Sequence, residues 1–152
     1  MTKRYVSTTT TTIAAPPARV WAALVSPEAS REYFFGSTVA SDFTRGSAIT
    51  FTGEWDGKPF EDHGTILEVD EPHLLRYTHF SPLTGEPDVP ESYHTLTFTI
   101  EEAPGGTVVT LDQDNNASQE AADHSSENWR TVLEGLRTVV EKSARGGRHS
   151  AG

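Results

Sequence analysis

Tyr77, His79, His94 and Gln113 each stand at the polar end of an alternating run whose other positions on that face are apolar. In Leu75–His79 the shared face carries Leu75, Tyr77 and His79. In His94–Ile100 it carries His94, Leu96, Phe98 and Ile100, and in Thr107–Gln113 it carries Val109, Leu111 and Gln113. A phenol, two imidazoles and a carboxamide together offer donors and acceptors suited to the polar end of a mostly apolar ligand. Imidazole is also a general base near neutral pH, and Tyr77 or Tyr93 would serve to polarise a carbonyl, as a cyclase or aldol-type step requires. The same four residues equally fit a structural role, as strand ends in part solvated or as core polar groups with satisfied hydrogen bonds.

Other chemistries find no residues to carry them. There is no cysteine, which removes disulfides, thiolate metal sites and cysteine nucleophiles. No His-x-x-x-His spacing occurs, and Asp62 and His63, adjacent on one strand, point to opposite faces, so no metal is expected. No Gly-x-Ser-x-Gly elbow, Ser-His-Asp order or phosphate loop is legible, and no cofactor is expected. Glu54 and Asp62 either line a pocket or are solvated.

Several elements must position these groups. The threonine-rich stretch 4–13 predicts an edge strand, since β-branched residues favour extended backbone. Pro17 suits the first turn of a helix carrying Val20, Trp21, Leu24 and Val25, and Ser26-Pro27-Glu28 restarts a short helix running into Tyr33-Phe34-Phe35-Gly36. Strands follow around Ile49 and Phe51, through 64–69, over Leu74–Phe80, over Tyr93–Ile100 and over Thr107–Gln113, with Asp56-Gly57 and Pro104-Gly105-Gly106 as hairpin turns. The proline- and glycine-punctuated stretch 81–91 is the longest loop and a natural rim. Asn116 or Ser118 is placed to cap a helix of about 24 residues with Ser125, Trp129, Val132, Leu133, Leu136 and Val140 on one stripe. The expected fold is α+β: a six-stranded antiparallel sheet, two short helices and a long C-terminal helix over a cavity. Pairing Tyr77 with His94 and His79 with Ser92 would keep the inward faces together, with Gln113 or Asn115 beside His94. Residues 1–143 are expected to form one domain and 144–152 a disordered tail.

Composition narrows the partners. The formal charge is −10, and all 22 acidic residues lie between Glu28 and Glu141, whereas Lys3, Arg4, Arg145 and Arg148 lie in the terminal segments. A body so acidic repels phosphate backbones, so nucleic acid and anionic membrane are poor partners. No apolar run approaches the roughly 20 residues that span a bilayer, and no signal pattern opens the chain, so a cytoplasmic location is expected.

The chain resembles the START-like (SRPBCC, helix-grip) superfamily, and within it the bacterial branch homologous to the activator of heat-shock protein 90 ATPase. The matching stretches are Ile13-Ala14-Ala15-Pro16 with Val20-Trp21, Tyr33-Phe34, Asp42-Phe43 with Arg45-Gly46, Gly64 to Val69, Leu75 to Thr78, Gly106 to Leu111, and Asn128-Trp129 with Val132-Leu133. The resemblance implies a sheet wrapped around the C-terminal helix with a cavity between them. The superfamily includes polyketide cyclases, lipid carriers and hormone receptors. The expected role is therefore binding of a small hydrophobic molecule, such as a lipid or polyketide, lined by Trp55, Tyr77, His79, His94, Leu96, Phe98, Gln113, Trp129 and Leu133. Two other roles fit: a cofactor-free cyclase- or hydrolase-like enzyme using His94 or His79, and a chaperone-linked or regulatory module with a protein partner or a second copy of itself. Trp55, beside Asp56-Gly57, is the aromatic best placed for a pocket mouth or partner contact.

Overall fold

The computed structural model describes residues 5–34, 36–55, 57–82 and 85–142, and carries the last helix to Ala151; the side chains of 55 and 143–151 are not described. The tail expected at 144–152 therefore lies outside the described side chains, as does the position expected for the Trp55 ring.

The elements in chain order are β1 (Tyr5–Ile13), α1 (Pro17–Leu24), α2 (Pro27–Tyr33), β2 (Thr38–Ser41), β3 (Ala48–Trp55), β4 (Lys58–Asp70), β5 (Leu74–His79), β6 (His94–Ala103), β7 (Gly106–Asn116) and α3 (Gln119–Ala151). All neighbouring strands are antiparallel, in the order β1-β7-β6-β5-β4-β3-β2. The sheet thus has seven strands, not six. The additional one is β2, four residues long and paired with β3 through Val39 and Phe51. So short a run, directly after Gly36-Ser37, carries too little alternation to register as a strand.

Local chemistry explains the helix boundaries. Pro17 and Pro27 occupy first-turn positions, where the missing N–H is no loss, and Ser26 Oγ accepts from Ala29 N at 3.1 Å. For α3 the cap is Ser118, whose Oγ accepts from Ala121 N at 3.0 Å, while Asn116 belongs to β7. Alternation in β5, β6 and β7 puts Leu75, Leu96, Phe98, Ile100, Val109 and Leu111 on one face, all within 1% of complete burial. The α3 stripe of Val132, Leu133, Leu136 and Val140 lies equally buried against it. Each such side chain contributes roughly 1.5–3 kcal/mol relative to exposure. Gly135 lets α2 approach α3, since a Cβ there would sit 3.0 Å from Tyr33 Cα.

Two irregularities shape the end of the sheet that carries the polar residues. At Gly64 a Cβ would stand 1.7 Å from the carbonyl oxygen of Thr78, so only glycine lets β4 run this close to β5. At Asn115 the backbone turns left-handed (φ 61°), which asparagine tolerates and which rotates Asn116 toward the buried side.

Candidate functional site

The observed strand register differs from the expected one by two residues. His79 pairs with His94 and Tyr77 with Leu96. A 3-10 turn at Pro90–Ser92 takes up Ser92, so β6 begins at His94 and it is His94, not Ser92, that faces His79. An even shift preserves the faces, and the polar row survives with different neighbours.

That row crosses the sheet just beyond the apolar core. On β4, Asp62 shares the inward face with Gly64 and Ile66; its Oδ2 lies 3.1 Å from His79 Nε2, and the two side chains are 14% and 16% exposed. The His79 ring stands edge-on to Phe51 at 4.8 Å between centroids. Across the β5–β6 pair, His94 Nδ1 lies 2.8 Å from Gln113 Nε2 and 2.9 Å from the carbonyl oxygen of Asp114. Gln113 in turn accepts through Oε1 from the Trp129 indole N–H of α3, and its Nε2 reaches Asn116 Oδ1 at 3.4 Å. Ser125 Oγ donates to the same Asn116 oxygen at 3.0 Å, and Asn116 Nδ2 donates to the carbonyls of Tyr5 and Gln113. One hydrogen-bonded network therefore joins β6, β7, β1 and α3.

Beneath it lies an aromatic wall. Phe51 contacts Phe34 at 5.3 Å and Tyr77 at 5.6 Å, Phe34 contacts Trp129 at 5.8 Å, and Tyr77 contacts Phe98 at 6.0 Å. Tyr77 is buried, and burial, with the nearby Tyr33 phenol adding to it, pushes its ionisation well above the usual range. The Tyr33 hydroxyl donates to the Leu24 carbonyl at 2.6 Å. Asp62 Oδ1 is buried without a partner, and so is Ser7 Oγ on β1.

The structure thus brings together Tyr77, His79, His94, Gln113 and Trp129, and places Leu96, Phe98 and Leu133 in the closed core directly below, each 0% exposed. It separates Tyr93 from them. Tyr93 lies beyond the sheet end, stacked on Phe80 at 5.2 Å, where its hydroxyl donates to Asp88 Oδ1 at 2.6 Å and lies 3.0 Å from His63 Nε2. Bonding to that carboxylate pushes the Tyr93 phenol up to about 12 and holds Asp88 below the usual carboxylate range. Tyr93 therefore has no place beside Tyr77 in carbonyl chemistry. Gln113 is the residue that reaches the His94 ring, while the Asn115 amide donates to the Glu91 and Tyr93 carbonyls and ties down the loop end. Glu54 is exposed.

Asp62 is the participant that alternation could have assigned, since it shares parity with Ile66. Asn116 could not be assigned in that way, because the turn at Asn115 breaks the period. Among the described residues no group of acidic, histidine or cysteine side chains is arranged to hold a metal ion.

Hollows lined by described residues lie away from this row. One of about 510 Å³ on the outer sheet face is bounded by Val6, Arg76, Thr95, Thr97, Asp112 and Asp114. Its charged groups are already engaged: Arg76 with Glu68 at 2.8 Å, Asp112 with Thr8 at 2.6 Å, and Asp114 with Thr95 N at 2.7 Å. A second, of about 660 Å³, lies between Ala14–Pro17 and the Pro104-Gly105-Gly106 hairpin.

The family of Activator of Hsp90 ATPase homolog 1-like proteins matches residues 14–141, most of the chain and every element of the row. The chain belongs to that family. Its fold recurs in a solution structure from Cytophaga hutchinsonii, 48% identical over 95% of this chain and 99% of the other, with a TM-score of 0.81. A Staphylococcus aureus protein of unknown function shares the fold at 13% identity, covering 94% and 98% of the two chains with a TM-score of 0.75. So does the Aha1 dimer of Colwellia psychrerythraea, at 16% identity, 91% and 97% coverage and a TM-score of 0.69. No curated protein sequence matches the chain. No described helix of this family member is long and apolar enough to cross a membrane.

Proposed function

We propose that this protein binds a small, largely apolar molecule between the inward face of the sheet and α3, with the polar row holding the ligand's head. The observation that carries the reading is Asp62 Oδ1, an inward polar atom buried without a partner, beside a continuous aromatic wall. A buried polar group left unpaired costs about 1–3 kcal/mol, so such an atom has a physical reason to exist where a ligand completes it. Binding requires the core to part around Leu96, Phe98 and Leu133. Covering about 300 Å² of apolar ligand would return roughly 7 kcal/mol before ordering costs, consistent with modest affinity. Native mass spectrometry of protein purified from its own host tests this: a bound molecule released on denaturation is expected. A chain that carries nothing, and takes up nothing from a lipid extract, would sink the reading.

A second reading rests on the Asp62–His79 pair. A carboxylate behind an imidazole orients the ring and supports the charge it gains as a general base. In that reading His79, not His94, is the base, because His94 Nδ1 is committed to Gln113. Turnover of a substrate that His79→Phe abolishes while binding persists would decide for it.

A further inference from the structure

The donor and acceptor pattern of the row is fixed by the hydrogen bonds its members make to one another. Trp129 Nε1 is a donor only, so Gln113 must turn its oxygen to the indole and its NH₂ group to His94. His94 Nδ1 also faces the Asp114 carbonyl, and it cannot serve both neighbours at once. The decision falls to Gln113. It is 4% exposed, and an Nδ1–H opposite its amide would bury two N–H groups pointing at each other, whereas a carbonyl short of one donor is the cheaper deficit. In the neutral ring, Nδ1 therefore accepts and Nε2 carries the hydrogen. On His79, Asp62 Oδ2 takes the Nε2 hydrogen, leaving Nδ1 of the neutral ring as an acceptor. Neither His94 Nε2 nor His79 Nδ1 has a partner among the described residues, and the two histidines face each other directly across β5 and β6.

We infer that this row reads a head group presenting a carbonyl oxygen and an N–H or O–H on the same carbon, as in a primary carboxamide or an un-ionised carboxyl group. The carbonyl accepts from His94 Nε2–H, and the neighbouring N–H or O–H donates to His79 Nδ1. An ionised carboxylate is disfavoured, because it has no hydrogen to give and because the adjacent Asp62 carries an unpartnered oxygen. The inference rests on the proposed binding between sheet and α3 and names the ligand class for that site.

The experiment uses three probes with similar alkyl chains (octanamide, 2-nonanone and octanoate) titrated at pH 8 into protein labelled at leucine methyls and histidine nitrogens. Octanamide is expected to bind about tenfold tighter than 2-nonanone, which can only accept, and octanoate weakest. His79→Phe should erase the amide preference while the ketone still binds. Without any probe, the His94 nitrogens should show Nδ1 unprotonated and Nε2 protonated, and Trp129→Phe should admit the other tautomer. Equal affinity for amide and ketone, or a His94 protonated at Nδ1 alone, would overturn the inference while leaving apolar binding intact. Failure of all three probes to shift the Leu96 or Leu133 methyls would remove the binding reading, and this inference with it.

Discussion

Asp62 Oδ2 and His79 Nε2 lie 3.1 Å apart on adjacent strands, in a setting where each side chain is about 85% buried and the other Asp62 oxygen has no partner. The pair is thus half satisfied. Breaking it from the histidine side strands a buried carboxylate; breaking it from the aspartate side releases one.

The pair should consequently show measurable coupling. In a double-mutant cycle of Asp62→Ala and His79→Phe, urea unfolding is expected to give a coupling of about 1 kcal/mol, with His79→Phe the costlier single change. Zero coupling would mean that the contact contributes nothing to the fold.

Gln113 is the junction of the network, so its loss should exceed that of any one neighbour. Gln113→Leu leaves the Trp129 indole, Asn116 and His94 each short of a partner, and about 2–3 kcal/mol of destabilisation is expected. Trp129→Phe should cost less, about 1–2 kcal/mol. Denaturant midpoints compare the two, and the opposite order would place the network's weight on Trp129 packing instead.

Gly64→Ala should be among the most damaging substitutions of a small residue in the chain. The new methyl would meet backbone, the Thr78 carbonyl, which cannot rotate away. The β4–β5 pairing must shift there, and with it the Asp62–His79 contact. Loss of more than about 2 kcal/mol is expected, read as a fall in thermal midpoint together with altered His79 resonances. A neutral Gly64→Ala would show that β4 accommodates the group.

The Asp88–Tyr93 contact should respond to pH at both extremes. Asp88 is held below its ordinary value, so its contribution is complete above about pH 4 and is lost as pH falls through the lower folded value. Tyr93 is raised to about 12, so its contribution is complete below about pH 10 and is lost as pH rises from there through 12. Phenolate absorbance of wild type minus Tyr93→Phe should show the Tyr93 transition near pH 12, and Asp88→Asn should bring it down. A transition already at pH 10 would show that the hydrogen bond does not persist in solution.

Much of this arrangement could be read in the sequence, for reasons visible in particular residues. Period-two alternation placed Tyr77, His79, His94 and Gln113 inward because burial of Leu75, Leu96, Phe98 and Leu111 leaves no freedom of face. The helix stripe through Trp129 and Leu133 was equally plain. Register was not, since pairing of β5 with β6 depends on how the 3-10 turn at Pro90–Ser92 uses up Ser92, and alternation is blind to a shift of two. Four-residue β2 fell below the length at which a pattern exists. Asn116 escaped because a left-handed Asn115 resets the period, and the Asp62–His79 contact depends on a glycine's close approach that only three dimensions reveal.

The central claim is that the inward face and α3 part to hold an apolar molecule, and methyl NMR tests it most directly. Titration with 2-nonanone is expected to shift the Leu96 and Leu133 methyls saturably while leaving outer-face Val108 unmoved, and Leu96→Trp should abolish the effect by filling the space. Shifts confined to Val6 and Val108, or none at saturating probe, would contradict the account.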